Sequence, residues 1–178
     1  MLADGYDLRP LGSDDAAALA AAYRRNREHL APWDPVRSEE FFTAAGQQAD
    51  LDHRLVARDL GLADPWVLWH AGEVVGRANL QNVVRGAMQG ASIGYWVAAD
   101  HVRRGLTVAM VESLCARALE LGLHRVEAGT MLANVPSQRV LERAGFERIG
   151  VVPAYLFLAG AWQDHVLFQR LLHDEPLG

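Results

Sequence analysis

The chain of 178 residues has one cysteine, Cys115, so no disulfide can form within it and a thiolate cluster around a metal is excluded. A reducing compartment fits that usage. Basic residues are in deficit, 17 Lys and Arg against 22 Asp and Glu, for a formal charge of −5. Affinity for phosphate backbones rests on clustered cations, so nucleic acid is not an expected partner. Long apolar runs are missing as well. The longest uncharged stretch, residues 149–163, is interrupted by Pro153 and Gly160 and falls short of the ~20 residues that cross a bilayer. Met1-Leu2-Ala3-Asp4-Gly5-Tyr6-Asp7 carries acids where an export signal needs a basic and then an apolar segment. The expectation is a cytoplasmic protein without membrane association.

Several signatures are absent. There is no Gly-x-x-x-x-Gly-Lys-Ser/Thr phosphate loop and no Gly-x-Gly-x-x-Gly fingerprint, which removes nucleotide hydrolysis and nicotinamide chemistry. None of the seven histidines stands four residues from another, so no metal is expected on a helical histidine pair. Linkers, repeats and low-complexity tracts are missing too, and residues 1–178 read as one domain.

What is present alternates between strand and helix periods. Residues 6–11 read as a strand, and Ser13-Asp14-Asp15 opens an alanine-rich helix over 16–25. A second helical stretch is expected from Ser38 to about Asp59, with Phe41, Phe42, Ala45, Ala49, Leu51 and Leu55 near one face. Residues 66–70, 74–81 and 91–97 form an antiparallel meander, in which Gly94 suggests a bulge or a close ligand approach. A helix over 105–121 ends at Gly122, a strand covers 125–131, and a helix follows from about Pro136 to Ala144. Strands near 148–158 and 164–171 close a mixed α/β chain.

Two strand ends carry the chemistry. After the strand containing Tyr95, Trp96 and Val97, the turn Val102-Arg103-Arg104-Gly105-Leu106-Thr107 leads straight into a helix. Unpaired N–H groups at a helix start, with two arginines beside them, make a seat for phosphate or pyrophosphate; an ordinary loop with two solvated arginines is the other reading. Asn134-Val135-Pro136-Ser137 opens the next helix, where Asn134 is either a cap or a site residue. Adjacent parallel strands would open both helix starts on one side of the sheet, where a single ligand could meet both.

These segments resemble the GCN5-related N-acetyltransferases (GNAT), and within them the RimJ/RimL-like branch that acetylates ribosomal-protein N-termini. The likeness is carried by Asn26-Arg27-Glu28-His29-Leu30-Ala31-Pro32-Trp33-Asp34-Pro35, by Gly94 through Ala109, by Asn134 through Gly150 with Leu141-Glu142-Arg143-Ala144-Gly145-Phe146, and by Gly160-Ala161-Trp162-Gln163-Asp164-His165. The resemblance implies a mostly antiparallel sheet of about seven strands splayed between strands 4 and 5, flanked by about four helices. It implies acetyl-CoA as co-substrate and no metal. The pyrophosphate would sit on residues 102–107, and the pantetheine would lie in the splay against the backbone of Tyr95, Trp96 and Val97. Asn134 would touch the pantetheine and Ser137 the sulfur. The family's turn usually reads Gln/Arg-x-x-Gly-x-Gly/Ala; here Val102 and Thr107 hold the outer positions. Where some relatives place a glutamate on the penultimate strand, this chain has Tyr155, Leu156 and Phe157.

Direct transfer through a tetrahedral intermediate fits better than a covalent enzyme intermediate, because Cys115 falls on the apolar face of its helix. Glu127 and Tyr155 are the candidates to relay the amine's proton through water, and Ser137 is either a donor to the leaving sulfur or a second capping hydroxyl. Trp33, Trp96 and Tyr155 are the acceptor-site candidates, although Trp33 and Trp96 could equally be core. The acceptor is read as a primary amine, foremost a protein N-terminus. A small amine, such as an antibiotic, polyamine or amino acid, with acetyl or succinyl as the group moved, is the alternative, and a non-catalytic CoA-binding module is a second. Oligomeric state is not legible, though relatives are often dimers.

Overall fold

A computed structural model describes residues 2–174. Seven strands build one sheet: β1 (Tyr6–Pro10), β2 (Asp64–His70), β3 (Glu73–Val84), β4 (Gly90–Val97), β5 (Arg125–Met131), β6 (Glu147–Leu158) and β7 (Ala161–Leu171). Their order is β1-β2-β3-β4-β5-β7-β6. Neighbours are antiparallel except β4 and β5, which run parallel and pair only from Gly90–Arg125 to Ser92–Glu127. Beyond that pair the two strands diverge, as the expected splay requires.

Alternation along the strands divides the core into two layers. On one face Val67 and Val74 pack with Leu11, Leu19, Tyr23 and Leu51, under α1 (Ala16–Arg25) and α3 (Ala44–Asp59). On the other, Leu68, Ala78, Leu80, Val126 and Phe168 pack with Met110, Leu114 and Leu141, from α4 (Leu106–Glu120) and α5 (Val135–Arg143). Cys115 lies in this second layer at 3% exposure, a small core residue.

Three details differ from the sequence reading. A single helical turn, α2 (Arg27–Leu30), follows α1 and makes five α-helices rather than about four. The stretch expected as one helix from Ser38 is broken, with a 3-10 turn over Glu39–Phe42 and then extended backbone at Thr43. The Thr43 hydroxyl accepts the Gly46 N–H at 3.0 Å and so caps α3. A Cβ on Gly46 would stand 2.0 Å from the Glu40 carbonyl oxygen, so this junction closes only over glycine. Finally, β4 has no bulge at Gly94. The irregularity falls on β3, between Gln81 and Val84, where Asn82 has φ 53°.

Candidate active site

The divergence of β4 from β5 exposes a strand edge inside the sheet. The Ala98 N–H donates to the Val75 carbonyl on β3 at 2.8 Å, and strand groups alternate sides. Trp96 therefore also addresses β3, while the N–H groups of Tyr95 and Val97 face the gap. This corrects the expectation that all three line it. His29 Nε2 lies 3.2 Å from the Val97 carbonyl oxygen and, since a carbonyl only accepts, carries the proton there.

The turn after β4 holds two left-handed residues, Arg103 at φ 63° and Gly105 at φ 75°, which bring the chain round into α4. The first helical bond within α4 runs from the Ala109 N–H to the Gly105 carbonyl, leaving the N–H groups of Leu106, Thr107 and Val108 outside the ladder. Arg104 donates to the Tyr6 hydroxyl at 3.1 Å and to the Asp100 carbonyl at 3.0 Å, and the Tyr6 hydroxyl lies 2.8 Å from His101 Nδ1. Val102 is exposed.

The head of α5 opens on the same side. Asn134 Oδ1 accepts the Ser137 N–H at 3.2 Å, so its side chain is a helix cap. The Ser137 hydroxyl meets the Tyr95 hydroxyl at 3.0 Å, bridging α5 to β4. Burial pushes the Tyr95 phenol up to about 12, partly offset by the Ser137 bond, so it stays neutral near pH 7. Thr130 on β5 is 5% exposed, and its hydroxyl has no partner among the described residues. Free N–H groups at the head of α4, an unpaired strand edge and an unpartnered hydroxyl fit a ligand with phosphates at one end and amides along its length.

The opposite face of the sheet is a separate surface. Glu127, at the last β4–β5 pair, is bound by Arg125 at 2.6 Å. The Trp96 indole donates to the Tyr23 hydroxyl at 3.2 Å, and Arg77, 2% exposed, reaches that hydroxyl at 3.4 Å and Asp50 at 3.2 Å. Trp33 is half-buried in the loop after α2. Tyr155 is exposed on β6, its ring 5.4 Å from that of His165. The tip of the β6–β7 hairpin reaches back to that loop through the Ala159 N–H, which donates to the Asp34 carbonyl at 3.0 Å. A cavity of about 180 Å³ lies beneath, lined by Tyr23, Leu30, Asp34, Arg37, Phe41 and Phe42 among others.

The structure thus gathers Tyr95, Asn134 and Ser137 at one helix head and the 102–107 turn at another, while Glu127, Trp96, Trp33 and Tyr155 belong to the other face. Sequence reasoning missed Tyr23, His29, Asp34 and Arg77; His29 and Asp34 lie inside a quoted motif, but only the fold brings that loop over β4. Gly90-Ala91-Ser92-Ile93-Gly94 has the spacing of a hydrolase nucleophile elbow, yet it runs as continuous strand, Ser92 pairing with Gln81 and Glu127 rather than standing on a strand-to-helix turn.

Residues 7–147 match the acetyltransferase (GNAT) domain family. The chain is 36% identical over 174 residues to the ribosomal protein uS5-alanine N-acetyltransferase of Escherichia coli, covering 92% of this chain and 86% of that protein. The crystal structure of the ribosomal-protein-S5-alanine acetyltransferase of Vibrio fischeri superposes with a TM-score of 0.93 at 29% identity, over 99% and 98% of the two chains. RimJ of Mycobacterium smegmatis, in complex with CoA-disulfide, gives a TM-score of 0.88 at 32% identity over 93% and 81%. On these matches the chain belongs to the GNAT acetyltransferases, with its relatives among the RimJ/RimL-type ribosomal-protein enzymes.

Proposed function

We propose that the enzyme moves the acetyl group of acetyl-CoA directly onto the N-terminal α-amine of a protein, with ribosomal proteins as the acceptor class. The observation that carries this reading is the divergence of β4 from β5 beyond Ser92 and Glu127, with the heads of α4 and α5 on the same side of it. The relative from E. coli acts on an alanine of ribosomal protein uS5.

In this reading the donor's pyrophosphate lies on the turn Val102, Arg103, Arg104, Gly105, Leu106 and Thr107. The N–H groups of Tyr95 and Val97 meet its amides and the oxyanion that develops at the thioester carbonyl. Ser137, held by Tyr95 and by the Asn134 cap, gives a hydrogen bond to the departing sulfur. Trp33, Trp96 and Tyr155 border the acceptor, and Glu127 and Tyr155 relay its proton to solvent. An α-amine, with a reference pKa near 7.8, is neutral in about a tenth of molecules at pH 7, so it asks less of a base than a lysine does. A single domain over 1–178, action in the cytoplasm and a homodimer belong to the same reading, the last checked by sedimentation.

The test is release of CoA thiol from acetyl-CoA with peptides bearing free N-termini, the same peptides N-acetylated, and small amines including polyamines and free amino acids. Release with the free N-termini alone is expected. Release with small amines alone overturns the acceptor, and thermal stabilisation by acetyl-CoA without release for any amine overturns the enzyme reading.

A further inference from the structure

The loop after α2 is pinned from two sides. The Leu30 carbonyl accepts the N–H groups of Trp33 at 2.9 Å and Asp34 at 3.1 Å, and the Asp34 carbonyl accepts Ala159 from the hairpin. That fixes the backbone at Asp34 and leaves its side chain as the one acidic group lining the 180 Å³ cavity. The arginines around it make their closest contacts elsewhere, although Arg37 and Arg77 act on Asp34 electrostatically from beyond ion-pair distance. Arg27 pairs with Glu39 and lies over the Phe42 ring at 4.4 Å. Arg37 lies over the Phe41 ring at 4.5 Å. Arg77 binds Asp50, which Arg54 also holds at 2.7 Å. The half-buried Asp34 carboxylate has no hydrogen bond or ion pair among the described residues. A partly desolvated carboxylate with no cation in direct contact is under-compensated by Arg37 and Arg77 alone, and a cation bound against it relieves that.

The cavity shares Tyr23 with Trp96, and Trp96 lies on the part of β4 that has left β5. Its 180 Å³ would hold about six waters at ~30 Å³ each, enough for one small residue and well below the ~300–1,000 Å³ of pockets that enclose drug-sized ligands. Tyr23, Phe41 and Phe42 supply apolar walls.

Resting on the proposed reading of the acceptor as a protein N-terminus, we infer that Asp34 receives the acceptor's α-ammonium in this cavity and takes its proton. One N–H bond of the ammonium breaks and an O–H bond forms on the carboxylate, giving the neutral amine that attacks the thioester and a neutral carboxylic acid. Glu127 is a weaker candidate for that first step, because Arg125 already neutralises it. Tyr155 is a phenol on an exposed strand. Desolvation raises the Asp34 pKa against the opposing pull of Arg37 and Arg77, which narrows the gap between the carboxylic acid and the ammonium and makes the transfer less uphill.

The experiment is the pH profile of kcat/KM for thiol release with a free N-terminal peptide, for the wild type, Asp34→Asn and Asp34→Glu. Asp34→Asn should lose about 100-fold near pH 7, and the deficit should shrink above about pH 8, where the α-amine is neutral unaided. Asp34→Glu, which keeps a carboxylate, should keep the wild-type shape of the profile. The thermal shift produced by acetyl-CoA should be the same in all three, because the donor lies on the other face. A wild-type profile in Asp34→Asn, or a deficit constant across pH, overturns the inference and leaves the acetyltransferase reading standing. A wild type inactive on every free N-terminal peptide overturns both.

Discussion

Replacing Tyr95 by Phe keeps the half-buried ring and removes one hydroxyl, the one 3.0 Å from Ser137. The phenol is neutral near pH 7, so the loss is one neutral hydrogen bond, worth ~1 kcal/mol. Water can reach the half-buried Ser137 and keeps the cost from rising further. At high pH the sign reverses. The folded phenol is held up to about 12, whereas an unfolded tyrosine titrates near 10. Between about pH 10 and 12 the unfolded chain therefore binds fewer protons than the folded one, and stability falls as pH rises. The full difference amounts to ~3 kcal/mol, about half of it lost by pH 11. Tyr95→Phe has no such loss. Its stability should lie ~1 kcal/mol below wild type at pH 7 and cross above it near pH 11. The 17 basic side chains are all arginine, so no lysine titrates in that window to mask the effect. Urea unfolding at several pH values measures it, together with Ser137→Ala and the double variant. Parallel stability curves without a crossing refute the burial argument, and additive single-variant losses within ~0.3–0.5 kcal/mol refute the coupling.

Ser137→Ala should lower kcat with little change in the KM for acetyl-CoA if its hydroxyl serves the departing sulfur; steady-state kinetics at saturating peptide decides, and an unchanged kcat removes the assignment. Cys115, at 3% exposure and with its thiol pushed up by burial, should not react with a disulfide reagent in the native state and should react once urea unfolds the chain; rapid native labelling contradicts its place in the core. Gly46→Ala, which drives a Cβ toward the Glu40 carbonyl oxygen, should cost ~1–3 kcal/mol and lower Tm by ~2–4 °C per kcal/mol, read by calorimetry.

Legibility followed locality. Strand β5 and helices α1, α4 and α5 are set by short-range signals: the period of their apolar residues, the Asn134 cap, and glycines at positive φ such as Gly122 and Gly145. They appear within a residue or so of where the pattern puts them. The break at Thr43 was not legible, since Phe41 and Phe42 continue the helical pattern and what stops the helix is a capping hydroxyl with a close approach at Gly46. Gly94 misled for the related reason that its nearest neighbour would be the Gln81 side chain at 3.7 Å, an ordinary contact demanding neither a bulge nor a ligand. The orientation of Trp96 needed the register of β4 on β3, which depends on residues some twenty positions away.

The same distinction separates the two halves of the site. In the proposed reading the donor meets backbone N–H groups at the head of α4 and along a strand edge, placed by turns that the local sequence encodes. The acceptor would meet side chains: Tyr23 from α1, Asp34 from a loop, Arg77 from β3 and Trp96 from β4. No spacing in the sequence links them, because what assembles them is sheet register and one hairpin contact from Ala159 to Asp34. Acceptor choice can therefore change by side-chain substitution in the loop or hairpin while the donor seat stays as it is. Exchanging residues 31–38 should accordingly alter which peptides are used and leave stabilisation by acetyl-CoA unaltered.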